Sequence, residues 1–292
     1  MSIDTVARAI SVAPLSGTIG AEIRDVDLHA PLSEAARAEI RQALLDYKVI
    51  FFPQAHLDPA EHKAFAEAFG ELTNAHPVIP GIDEHREVFE IDYTKARELL
   101  KGRTEQYGVG QQWHTDVTFV ETPPLGSILN ALVIPSAGGD TVFADTQAAY
   151  EGLSPPLRRL VEGLSAVHDG RPAFGALLEA VGQGEWDGKP YTSLEPVEHP
   201  VVRTHPETGR KNLFVNPGFT SRIVGVSRRE SDVLLKFLFE HMTSQEYLVR
   251  YSWEPGDLGF WDNRTTMHYA VMDYGDAHRV IQRVTLRGDK PV

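Results

Sequence analysis

The sequence predicts a mainly β fold with flanking helices, a β-sandwich or distorted barrel carrying helical additions. Three observations carry this expectation. Short runs rich in branched and aromatic residues recur at close spacing, most densely over 247–286. Pro123-Pro124 and Gly138-Gly139 punctuate the strand-like text as turns do. Clear helical signals are confined to the opening segment and to stretches near 146–164 and 227–242. No internal repeat or low-complexity tract is present.

In chain order, residues 9–14 and 22–26 read as strands around Gly17 and Gly20. Ser33 caps a helix that turns Ala36, Ile40, Ala43 and Leu44 inward. Residues 48–52 (KVIFF) form a buried strand that Pro53 ends. Asp58 caps a second helix reaching about Phe69, with Phe65, Ala68 and Phe69 on one face and Gly70 as its stop. Residues 88–93 alternate as a strand. Residues 94–112 are polar and read as a solvated loop or short surface helix, with a lid over an active site as the alternative. Strand text follows at 113–119, 127–134 and 140–144. Residues 146–164 are helical, broken by Ser154-Pro155-Pro156, and 170–198 have poor periodicity. Together 146–198 are taken as a helical insertion. Strands follow at 201–204 and 213–216. Ser227 caps a helix to about Met242 with Val233, Leu234, Phe237 and Leu238 inward. Strands at 247–253, 258–261, 265–270 and 280–286 close the chain. Residues 1–292 are expected to form a single domain.

Composition narrows the function. Of 292 residues, 42% are hydrophobic and 24% charged, as in ordinary soluble domains. The absence of cysteine excludes disulfides, cysteine nucleophiles and thiolate metal sites. Residues 1–10 lack a long apolar run, so no secretory signal is expected. No run of about 18 apolar residues is present, so no membrane partner is expected and a cytoplasmic location is inferred. A net charge of −13 argues against nucleic acid as partner. It also repels anionic substrates unless local positive charge prevails.

His114 and Asp116 are two positions apart, so in an extended segment both side chains point to one face. With His268 from a distant segment, two imidazoles and a carboxylate could take one face of an octahedral metal. The remaining positions would then stay open for substrates. Arg279 and Arg283 share a strand face with Ile281 and Thr285, and paired guanidinium groups suit anions. The other histidines are ordinary by default. His199 and His205, flanking the VVRT strand, are read as structural.

These motifs, in this order, resemble the taurine dioxygenase group of Fe(II)/2-oxoglutarate-dependent oxygenases, which also includes alkylsulfatases and herbicide-degrading dioxygenases. The resemblance rests on 113–119 (WHTDVTF), 138–141 (GGDT), 199–206 (HPVVRTHP), 261–264 (WDNR) with His268-Tyr269-Ala270, and Arg279 with Arg283. It implies a double-stranded β-helix, or jelly-roll, core. It implies Fe(II) on His114, Asp116 and His268, with 2-oxoglutarate and O2 as cosubstrates. Arg279 matches the arginine on the distal carboxylate of 2-oxoglutarate, and Thr141 a hydroxyl assisting it. Arg283 and His76 match sulfonate-binding groups, and Phe174 an aromatic wall of the substrate pocket. A homo-oligomer, dimer or tetramer, is expected. The implied reaction hydroxylates the carbon next to a sulfonate, that of taurine or a related alkylsulfonate. It releases sulfite and an aldehyde, with succinate and CO2 from the cosubstrate. The alternative is a sulfate ester, as in an alkylsulfatase; a metal-dependent hydrolase is a further competing class.

The charges are compatible with such ligands. Iron(II), Asp116, Arg279 and Arg283 sum to about +3 and a 2-oxoglutarate dianion with one sulfonate to about −3. The chain departs from the group's pattern at Ile79, where a tyrosine is usual, and at Ala173, where a serine is usual. The asparagine expected before WHTD is not evident in 109–112. A less polar pocket follows, poorly suited to the ammonium of taurine.

Overall fold

The computed structural model describes residues 9–92, 112–186 and 188–292. The chain opens with the hairpin β1 (Ser11–Pro14) and β2 (Ala21–Arg24). Helix α1 (Glu34–Tyr47) starts where the Ser33 hydroxyl accepts the Ala36 N–H, and it buries Ala36, Ile40, Ala43 and Leu44. Strand β3 (Val49–Phe52) is buried throughout. Helix α2 (Pro59–Glu67) begins in a capping box, Asp58 with Glu61, which satisfies two otherwise free N–H groups. Strands β4 (Phe89–Asp92), β5 (Gly126–Val133) and β6 (Thr141–Asp145) follow. Next come the short helices α3 (Thr146–Gly152) and α4 (Pro155–Val161), then β7 (Ser165–His168), α5 (Arg171–Val181), β8 (Gly184–Trp186) and β9 (Lys189–Tyr191). The chain continues through β10 (Val197–Pro200), β11 (Val202–Thr204), β12 (Lys211–Leu213) and β13 (Thr220–Ile223). Helix α6 (Arg228–Met242) precedes β14 (Leu248–Tyr251), β15 (Leu258–Asp262), β16 (Thr266–Ala270) and β17 (Val280–Leu286).

Two sheets face each other as a jelly roll requires. The larger runs β1-β2-β3-β15-β5-β17-β4 and the smaller β14-β6-β16. Alternation along each strand sorts side chains between two layers. Ile50, Phe52, Phe260, Val284 and Leu286 face α1 and α2, where they pack with Ile40, Leu44 and Phe65. Val49, Phe51, Trp261 and Ile281 face the smaller sheet and pack with Phe143, Val249 and Tyr251. The inner layer includes stacked Phe51 and Tyr251 rings, 3.7 Å apart. The site described below opens off this layer. No helix among the described residues is long and apolar enough to cross a membrane.

The structure corrects several expectations. The strand expected over 113–119 reduces to one bridge, His114 with His268, followed by a turn over 116–119. Val117 sits at φ +53°, where a branched side chain is strained, so the extended run cannot continue. Within 146–198 the helices are accompanied by β7, β8, β9 and the start of β10; β7 is the central strand of the sheet β10-β7-β13. Helix α6 buries Ser231, Leu235, Leu238 and Met242, whereas Val233 is 66% and Phe237 39% exposed. The inward face is therefore rotated from the expected one. Arg279 precedes β17, and a register shift between Val280 and Ile281 interrupts the regular strand face expected there. The 94–112 segment, apart from Gln112, lies outside the described residues.

Candidate metal centre

Two backbone hydrogen bonds create the site. His114 N donates to His268 O at 2.9 Å, and His268 N donates to His114 O at 2.7 Å. This short ladder sets the two imidazole centroids 4.2 Å apart. The turn that follows brings in Asp116, whose Oδ1 lies 3.9 Å from His114 Nε2. One potential ligand atom from each of His114, Asp116 and His268 lies within 4.8 Å of the other two, and all three residues are buried. Close approach is secured opposite His114 by Gly218, where a Cβ would meet the His114 Cβ at 2.8 Å.

The turn itself is held from behind. His199 Nε2 faces the carbonyls of Thr118 and Val120 at 2.9 and 3.0 Å, so it is the donor. The Thr118 hydroxyl bonds His168 Nδ1 at 2.9 Å and receives Asn216 Nδ2 at 3.1 Å. His205 accepts the Glu207 and Thr208 N–H groups at Nδ1 and faces Asp262 Oδ2 through Nε2 at 3.0 Å. These histidines are structural.

Protonation suits ligation. His114 Nδ1 donates to Gln112 O at 2.8 Å, which leaves Nε2 as the lone-pair atom facing Asp116. Burial, before any other influence, lowers the pKa of His114 and holds that of His268 at about 3. Burial works to raise the Asp116 carboxyl, but Arg283, His268, His114 and the Ser127 hydroxyl together hold it at about 2. Near neutral pH the three groups are two neutral imidazoles and one carboxylate. Such a set fits a divalent metal and leaves part of its coordination sphere open.

The remaining predicted residues form two groups, the first of which adjoins this cluster. Arg283, on the inner face of β17, pairs through Nη1 with Asp116 Oδ1 and lies over the Phe89 ring at 5.3 Å. His76 is 4.5 Å from Phe174 and 6.1 Å from Phe119, centroid to centroid. Its Nδ1 accepts the Val78 and Ile79 N–H groups at 3.1 and 3.3 Å, so its proton resides on Nε2. Burial, then Arg283, lowers its pKa to about 3, so His76 is a neutral donor. Phe219 stands 4.9 Å from Phe119 and edge-on to His114 at 6.2 Å, joining these aromatic rings to the histidine cluster. The second group lies near Gly139. Arg279 Nε donates to Gly139 O at 3.2 Å, and Thr141 Oγ1 accepts the Trp253 indole N–H at 2.9 Å.

Sequence reasoning missed Ser127 and Trp253, and left Asn263 without a role. Ser127 Oγ donates to Asp116 Oδ2 at 2.6 Å and accepts from Asn263 Nδ2 at 2.8 Å. WDNR marked Asn263 as notable, but nothing in the sequence pointed to Ser127, whose partner is set by strand register.

The comparisons agree with this geometry. Residues 11–285 match the family model described as taurine catabolism dioxygenase TauD, TfdA family. An alpha-ketoglutarate-dependent sulfate ester dioxygenase of Pseudomonas putida is 42% identical over 98% of this chain and 92% of its own length. An alkylsulfatase of Acinetobacter baylyi is 41% identical over 96% of this chain and 86% of its own. The crystal structure of a taurine dioxygenase from Burkholderia xenovorans superimposes with a TM-score of 0.81 at 42% identity, covering 97% of this chain and 91% of that one. A family match over nearly the whole chain, on a jelly roll that gathers two histidines and an aspartate, means that this protein belongs to the TauD, TfdA family of 2-oxoglutarate-dependent dioxygenases.

Proposed function

We propose that the protein is an iron(II) dioxygenase that hydroxylates the ester-bearing carbon of an alkyl sulfate. In this reading His114, Asp116 and His268 hold the metal. Arg279 and Thr141 hold 2-oxoglutarate, and Arg283, His76 and Phe174 hold the prime substrate. The sulfate ester, first the alternative to a sulfonate such as taurine, becomes the preferred substrate class. Relatives described by sulfate ester activity favour it.

The observation that carries the substrate reading is the apolar cluster beside His76. It consists of Val78, Phe119, Leu178, Trp186, Leu194 and Phe219, with Ala173 and Phe174 packed against them. An alkyl tail gains about 0.8 kcal/mol per buried methylene against such a surface. An ammonium would be left there without partners. At the head of the pocket, the neutral His76 Nε2–H and the Arg283 guanidinium are two donors of the kind a sulfate group accepts. Arg283 Nε is buried without a hydrogen-bond partner among the described residues, which leaves one donor for such an oxygen.

The bound metal would supply O2 activation coupled to decarboxylation of 2-oxoglutarate. The chain's own residues position the reactants and exclude water. Arg279 pairs with the distal carboxylate, and Thr141 adds a hydroxyl donor. Arg283 and His76 fix the sulfate so that the adjacent C–H faces the His114, Asp116 and His268 cluster. One oxygen atom of O2 enters that C–H bond and the other leaves in succinate, with CO2 released. The hydroxylated ester then breaks its C–O bond to sulfate and closes to an aldehyde as the hydroxyl proton departs.

The test is 2-oxoglutarate consumption in air with added iron(II), using a series of linear alkyl sulfates, alkylsulfonates and taurine. The expected result is a kcat/KM that rises with chain length and sulfate release matching succinate formation. Preference for taurine over every alkyl sulfate would overturn the substrate reading. Hydrolysis without O2 would overturn the reaction class.

A further inference from the structure

Asp116 is held by a hydrogen-bond chain in which every proton has one possible direction. It starts at Trp261 Nε1, which can only donate, and which lies 2.9 Å from Asn263 Oδ1. This contact fixes the Asn263 amide, so that Nδ2 donates to Ser127 Oγ at 2.8 Å. Having accepted there, the Ser127 hydroxyl gives its single proton to Asp116 Oδ2 at 2.6 Å. Trp261, Asn263, Ser127 and Asp116 are all 2% exposed or less, so water does not compete for these bonds. Ser127 lies in the interior strand β5, in register with Trp261 of β15 on one side and Thr285 of β17 on the other. Its Oγ is therefore fixed from both flanks.

We propose that Ser127 is a positioning residue for the metal centre: it relays the Trp261–Asn263 chain to Asp116 and fixes which carboxylate oxygen is offered to the metal. The proposal rests on the reading of Asp116 as a metal ligand. With Oδ2 occupied by Ser127, Oδ1 is the oxygen on the His114 side. Arg283 approaches the same Oδ1. Without the Ser127 bond the carboxylate could rotate to give Arg283 either oxygen or both, in the bidentate geometry guanidinium favours. The relay holds the carboxylate in the orientation that serves the metal. It also gives Asn263 of the WDNR motif a part in the site, beside Trp261, whose ring packs 5.0 Å from that of His268. Partners of this kind orient metal ligands, and losing one typically costs about 10- to 100-fold in metal affinity.

The experiment is anaerobic titration of the purified protein with Mn(II), followed by calorimetry and by the Mn(II) EPR line shape. Ser127→Ala is expected to weaken Mn(II) binding about 10- to 100-fold and to alter the line shape, which reports ligand geometry. Ser127→Thr, which keeps the hydroxyl, is expected to recover most of the affinity. Ser127→Cys, close in size and a weaker donor, is expected to fall between them and serves if the alanine variant does not fold. Asn263→Ala combined with Ser127→Ala is expected to be no worse than Ser127→Ala alone. Wild-type affinity and line shape in folded Ser127→Ala or Ser127→Cys would overturn the proposal. Asp116→Ala separates the two levels. If that variant binds Mn(II) like the wild type, the ligand reading itself fails. If it loses Mn(II) while Ser127→Ala does not, only the relay fails.

Discussion

The guanidinium of Arg283 pairs through Nη1 with Asp116 Oδ1, while its Nε is buried with no hydrogen-bond partner among the described residues. One side chain thus addresses a proposed metal ligand at one edge and keeps a donor in reserve at another. Asp116 benefits directly, since Arg283 is the largest influence favouring its ionised form.

Removing this side chain should therefore separate substrate binding from metal binding. Arg283→Ala is expected to raise KM for an alkyl sulfate about 10- to 100-fold, the scale of charge-assisted hydrogen bonds. Mn(II) affinity should not weaken, because a cation beside the metal repels it. Arg283→Lys should recover little, since an ammonium lacks the planar fork. Steady-state kinetics and Mn(II) titration on the same preparations check this. A lysine variant with wild-type KM would show that the fork is not used.

The residues proposed to hold 2-oxoglutarate make a second prediction. Trp253 gives its only side-chain proton to Thr141 Oγ1, so the hydroxyl proton of Thr141 is directed elsewhere. Thr141→Ala and Trp253→Phe are each expected to raise KM for 2-oxoglutarate about fivefold, or about 1 kcal/mol. The double variant should be no worse than Thr141→Ala. Arg279→Leu should raise it about 100-fold, as a bidentate carboxylate contact is lost. KM for the alkyl sulfate should stay level in all of them. An unchanged 2-oxoglutarate KM in Arg279→Leu would place the cosubstrate elsewhere.

A third prediction concerns stability against pH. His62 is fully buried, and burial lowers its pKa to about 4 from 6.5; its Nε2 donates to Ile128 O at 3.1 Å. Above pH 6.5 it is neutral in both the folded and unfolded chains, and the contribution is level. Between pH 6.5 and about 4 the unfolded chain takes up a proton that the folded chain refuses. Stability then falls by about 1.4 kcal/mol per pH unit, about 3 kcal/mol over the window. Urea unfolding from pH 7.5 to 4.5 should show this, and His62→Gln, which can still donate to Ile128 O, should flatten the slope by about that amount. Identical slopes would mean that His62 is not held neutral.

Local grammar was legible wherever one element decides its own fate. The cap at Ser33 and the spacing of Ala36, Ile40, Ala43 and Leu44 identified α1 and its buried face. The paired spacing of His114 and Asp116 found the cluster, although the physical route differs from the expected one. Asp116 arrives through a turn at left-handed Val117, a conformation that the run of branched and aromatic residues hides. On α6 two apolar stripes overlap. The sequence placed Leu238 inward correctly but did not tell Val233 and Phe237 from Leu235 and Met242, because the choice is made by what the helix packs against. Strand β7 is four residues long between helical segments, too short for periodicity to register. Ser127 and Trp253 matter through partners far away in the chain, and only sheet register brings those together.

The two sides of the segment 261–264 face different neighbours. Trp261 and Asn263 turn toward Ser127 and the ligands. Asp262 and Arg264 turn the other way, where Arg264 grips Asp262 at 2.8 and 2.6 Å and reaches Glu207 at 2.6 Å. Glu207 in turn accepts from Arg41 of α1 at 2.9 and 2.6 Å. One side of this short segment thus faces the proposed Asp116 relay, while the other ties β15 to α1 through Glu207. Removing either partner of the Asp262–Arg264 pair would leave a buried charge uncompensated, so changes on that side are expected to act first on stability.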